Sequence, residues 1–141
     1  MKKIYTVILF CSLFIITGCS KDFLKSYDRR IVGTWKITDV KRNGLGGSTD
    51  NLPFQAGTFS FNSDGTLTYL NAAGESFQGT WNIENKTYND VYYQSLEITA
   101  INFTAQQVIG EYYDDMDFTG TDRFKTQINQ GLHTYVTKFE R

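Results

Sequence analysis

From Gly33 onward, apolar residues recur mostly at every second position, the period of a β-strand with one face buried. The run Phe77 to Glu84 shows it most cleanly, with Phe77, Gly79, Trp81 and Ile83 on one side and Gln78, Thr80, Asn82 and Glu84 on the other. Trp35 with Ile37, Phe59 with Phe61, Leu67 with Tyr69, and Leu96 with Ile98 and Ala100 repeat the pattern. Turn signals punctuate these runs at short intervals, as hairpins require. Asn62-Ser63-Asp64-Gly65 is the strongest, because Asp bonds the backbone ahead of it and Gly accepts a positive φ. Ala72-Ala73-Gly74, Glu84-Asn85-Lys86, Phe118-Thr119-Gly120 and Gln130-Gly131 mark others. The expected strands are 33–40, 57–62, 66–71, 76–84, 93–101, 105–113, 121–128 and 132–140, all antiparallel, with one long loop over 43–53. Eight strands in so short a chain form either a barrel or a sandwich. Closure removes exposed edges, so an all-β, eight-stranded antiparallel up-and-down barrel is expected.

The amino-terminal segment follows different rules. A 14-residue apolar run behind Lys2 and Lys3 ends on Ile16-Thr17-Gly18-Cys19. It is too short to span a bilayer as a helix and has the layout of a cleaved secretory signal. Its last four residues resemble the lipobox of bacterial lipoproteins. That resemblance implies cleavage before Cys19, lipid on the Cys19 thiol, and a place in the cell envelope as an outer membrane lipoprotein. The chain then divides into a signal over 1–18, a lipidated tether over 19–30 with a helical turn around residues 23–27, and a domain over 31–141. Two or three acyl chains on Cys19 give durable attachment, where one holds only marginally. Cys11 lies in the signal, so the domain has neither a disulfide nor a thiol nucleophile.

The net charge of −1 conceals an uneven distribution. Residues 21–42 carry seven Lys/Arg against three Asp, and residues 43–122 carry eleven Asp/Glu against Lys86 alone. An acidic body without a basic stripe argues against a nucleic-acid partner. A basic start next to a lipid anchor suits either anionic head groups or plain solvation.

Gly33-Thr34-Trp35, at the head of the first strand, together with the terminal Arg141, resembles the lipocalin-like superfamily, and most closely the compact lipocalin-like lipoproteins common in Bacteroidota. The resemblance implies a barrel floor in which Gly33 permits close chain approach, Trp35 plugs the closed end and Arg141 stacks on Trp35. It also implies a small apolar or amphipathic ligand, bound without catalysis and without a cofactor. The inward aromatic set is Phe59, Phe61, Tyr69, Phe77, Trp81, Tyr112 and Tyr135, and it reads equally as ligand wall or as packed core. If the core is packed, the domain is an interaction module for a protein or glycan, using the loops 43–53 and 114–122. Tyr92-Tyr93 and Tyr112-Tyr113 point the same way, since alternation turns one ring of each pair outward.

Catalytic and metal signatures are weak. Asp115 to Gly120 reads D-x-D-x-T-G, the opening of a calcium loop, but Thr126 stands where the bidentate glutamate belongs, so no metal is expected. His133 is the only histidine, and the chain lacks a G-x-S-x-G elbow, a phosphate loop and a Cys-x-x-Cys pair, so no enzyme is expected.

Overall fold

The computed structural model describes residues 25–45 and 48–141. A single helical turn, α1 (Tyr27–Ile31), precedes nine strands: β1 (Gly33–Gly44), β2 (Thr58–Phe61), β3 (Thr66–Leu70), β4 (Ser76–Tyr88), β5 (Val91–Asn102), β6 (Gln107–Tyr113), β7 (Asp115–Phe118), β8 (Arg123–Gln130) and β9 (His133–Glu140). All pair antiparallel in one sheet of order β6-β5-β4-β3-β2-β1-β9-β8-β7. The all-β expectation therefore holds, and the eight-stranded barrel is corrected. There are nine strands, and no ladder joins the two end strands among the described residues.

The additional strand comes from the segment read as the loop 114–122. Asp115–Phe118 pairs with β8, with Asp115 opposite Gln127 and Phe118 opposite Phe124, because Met116 and Phe118 have apolar side chains to place on the core. Asp114 alone separates β6, at one end of the sheet, from β7, at the other. Nine strands laid flat would put these ends about 38 Å apart, whereas two residues of chain span about 7 Å. The sheet must therefore curl round its core, and β7 indeed touches β5 while β6 touches β8. The chain changes partner at Asp114 without completing a hydrogen-bonded closure.

Three local expectations are also revised. Glu84-Asn85-Lys86 is not a turn; β4 runs on to Tyr88 and reverses at Asn89-Asp90, whose φ values of 49° and 61° are the positive pair a type I′ hairpin needs. Within the 43–53 loop, Asn43 and Gly44 still belong to β1. A helical turn covers 27–31, where Tyr27 and Ile31, four residues apart, share the face that packs on the core, while residues 23 and 24 of the expected turn lie outside the described residues.

A bulge between Ile37 and Asp39 changes which side chains of β1 face inward. Trp35 and Ile37 are inward before it, and Val40 and Arg42 after it, opposite Thr137 and Tyr135 of β9. β4 and β5 pair from Gln78 with Ile101 down to Tyr88 with Val91. β3 stops at Thr80 and β6 at Leu96, so the distal part of this hairpin projects as a two-stranded arm.

Candidate functional site

The residues assigned to the barrel floor meet at one end of the sheet. Trp35 is fully buried, and its indole N–H donates to the Ile31 carbonyl at 2.6 Å, using an acceptor that the end of α1 leaves free. The Arg141 guanidinium lies 4.5 Å from the Trp35 ring centroid and donates to the Thr121 carbonyl at 2.6 Å. A Cβ on Gly33, whose φ is +131°, would come within 3.5 Å of that guanidinium. Arg30 adds a second stack, 4.0 Å from the Phe118 centroid, and donates to the Gly120 carbonyl at 2.9 Å.

The aromatic residues selected as a ligand wall largely pack on one another. Phe59, Phe61, Tyr69, Phe77 and Tyr135 are buried, and Trp81 is half-buried with its indole N–H on the Asn62 carbonyl. Ring centroids lie 4.4 Å apart for Phe59 and Tyr69, 5.7 Å for Phe59 and Phe61, and 5.6 Å for Tyr69 and Phe77. Phe54, from the loop before β2, sits 5.0 Å from Tyr69, and Phe124 stacks on Phe139 at 4.3 Å. These are the separations of rings in direct contact. Tyr112 is a correction: it faces outward, and its neighbour Tyr113, opposite Leu96, takes the inward place. Burial pushes the Tyr113 hydroxyl far above its ordinary value. Cys19 lies outside the described residues.

A cleft of about 570 Å³ opens on the outer face where the chain crosses from β6 to β7. Lys86, Tyr88 and Tyr93 of the arm form one side, Gln127 and Asn129 of β8 the other, and Tyr112, Asp114 and Asp115 the base. The kink at Asp114 creates it, because the edge of the arm is left without a neighbour below Leu96. Its polar groups are partly tied. Asp114 accepts the Asn129 backbone N–H at 2.6 Å, and Asp115 faces the Gln127 amide at 3.5 Å. Lys86 donates to the Tyr112 hydroxyl and lies 4.6 Å from its ring centroid, with Glu84 at 3.6 Å. The Tyr112 hydrogen bond, seconded by the Glu84 charge, raises the Lys86 ammonium above its ordinary value.

Sequence reasoning missed Lys86, Tyr88, Gln127 and Asn129 altogether. Tyr93 was signalled only by the doubled tyrosines, Tyr112 by them and, on the wrong face, by the inward aromatic set, Asp114 by the loop that contains it, and Asp115 by that loop and the calcium-like run. Among the described residues, no three His, Cys, Asp or Glu side chains cluster to hold a metal ion, and Asp117 of the calcium-like run instead faces Lys125 at 3.8 Å. No family model, curated protein or solved structure matches the chain.

Proposed function

We propose that this chain is a lipid-anchored recognition module of the cell envelope, without catalysis, and that its ligand is a glycan held in the cleft at the β6–β7 crossing. The observation that carries the reading is the composition of that cleft: three tyrosine rings beside two carboxylates, two amides and one ammonium. Tyrosine faces are electron-rich and pack against the C–H faces of a sugar ring, while carboxylates and amides take paired hydroxyls. Support for an outer site over an interior one comes from the ring packing, which occupies the space an apolar ligand would need. The lipid anchor and the lipocalin-like identity rest on Cys19 and its preceding residues, and on the Gly33, Trp35 and Arg141 group.

A second reading, a protein partner, has the exposed Tyr88, Val91 and Tyr92 at the arm tip in its favour. The test is binding of the full chain to a panel of immobilised glycans, repeated with Tyr93→Ala and Gln127→Ala. Retained glycans whose binding falls at least about tenfold in both variants support the proposal, a loss of about 1.4 kcal/mol each. No retained glycan, or retention indifferent to both changes, refutes it.

A further inference from the structure

Arg42 stands apart from the other cations of the domain. It follows the β1 bulge, which turns it to the inner face, directly opposite the buried Tyr135. Its Nε and Nη2 atoms are buried without a hydrogen-bond partner. By contrast, Arg30 and Arg141 each donate to a carbonyl and stack on a ring, and Arg123 faces Glu140 at 3.3 Å. Nε and Nη2 form the edge of a guanidinium whose two N–H bonds point the same way, the edge that accepts a carboxylate side-on. A buried guanidinium edge without a partner is unfavourable, and a carboxylate is the group whose two oxygens match it.

We propose that this edge is a carboxylate-binding site at the end of the sheet opposite the Trp35 floor, separate from the outer cleft. The surroundings suit one planar anion. Tyr135 lines the inner face beside Arg42, its hydroxyl committed to the Ser48 carbonyl at 3.2 Å, and the His133 ring stands 5.2 Å from the Tyr135 ring. The neighbouring carboxylate, Asp39, lies before Val40 on the outward side and is held by Lys138 at 2.9 Å and Lys41 at 3.3 Å. Arg42 as a whole is only half-buried, although its Nε and Nη2 atoms are covered. The carboxylate belongs either to a small free acid or to the head of an amphipath.

The test follows the arginine Nε–Hε NMR signals of the full chain in nanodiscs while acetate, benzoate and decanoate are added at constant ionic strength. One signal, absent from Arg42→Gln, is expected to move saturably with each carboxylate, and carboxylate is expected to raise the melting temperature of the wild type only. Equal affinities assign the site to a small acid. Decanoate tighter by about tenfold or more assigns it to an amphipath. A signal that ignores every carboxylate, or moves as far with chloride or phosphate, overturns the proposal. If Arg42→Gln fails to fold, Arg42→Lys supplies the assignment, and a moving signal that persists in it overturns the proposal.

Discussion

Trp35→Ala is the perturbation that most directly probes how the Trp35 end of the sheet is held. The indole is fully buried, touches Phe124 at 4.7 Å between centroids and lies 6.0 Å from Phe118. Truncating a buried ring of this size costs about 3–5 kcal/mol through lost transfer and the cavity left behind. The Ile31 carbonyl also loses its donor, adding about 1 kcal/mol or more if water does not replace it. The stack with Arg141 contributes about 0.5–1 kcal/mol, since that arginine is exposed. The expected total is about 4.5–7 kcal/mol, a large fraction of the stability of an ordinary domain. Urea titration of the wild type, Trp35→Phe, Trp35→Ala, Arg141→Ala and the double variant measures these contributions. Trp35→Phe keeps most of the ring and isolates the carbonyl, and the cycle isolates the stack. A Trp35→Ala loss below about 1 kcal/mol would refute the floor argument, because no buried aromatic plug is that cheap to remove. A coupling with Arg141 indistinguishable from zero would remove the stack from it.

Four further substitutions have expected outcomes. Gly79→Ala is expected to cost about 3 kcal/mol or more, since its Cβ would run into the Thr99 carbonyl of the paired strand, whereas Gly110→Ala, with its nearest neighbour at 3.2 Å, should cost less; equal losses in thermal melts contradict this. Burial, with a smaller push from Asp114 and against the Tyr112 N–H, raises the Glu111 carboxyl. The folded chain therefore binds that proton more tightly than the unfolded one, and stability rises as pH falls from the raised pKa towards the ordinary carboxylate value. Glu111→Gln should melt higher than the wild type at neutral pH, with the gap closing in acid; a gap that does not change with pH contradicts this assignment. Cys19→Ala should move the protein from the membrane pellet to the soluble fraction, and continued pelleting speaks against lipid as the anchor.

Much of the sheet was legible because its strands obey period two, and it stayed legible wherever that period ran unbroken, as from Phe77 to Ile83. The misses fall where one residue changes the phase. Thr38, bulged out of the β1–β9 pairing, moves Val40 and Arg42 inward, although counting by twos from Trp35 puts Asp39 and Lys41 there. Asp114 does the same between Tyr113 and Met116, where β7 was read as part of a loop, whereas the Tyr112 error lies within β6 itself, where Tyr113 is the inward ring of the pair. Asn89-Asp90 carried a usable turn signal, but the polar run Glu84-Asn85-Lys86 five residues earlier drew the strand end to itself. The outer cleft was the least legible feature, because its lining comes from five strands whose adjacency depends on the chain changing sides at Asp114.

The pairing of β1 with β9 also constrains the order of events during folding. Thr38 and Lys138 are neighbours across that ladder yet lie 100 residues apart in the chain. The six strands before the crossing and the three after it are each simple meanders, able to form from local contacts as they emerge. Their union waits for β9, and until then β1 and β2 hold an apolar face with nothing to cover it. Loop closure over such a distance is slow, and the half-built sheet is exposed while it lasts. Truncating β9 would therefore stall assembly at a sticky intermediate rather than yield a smaller folded domain.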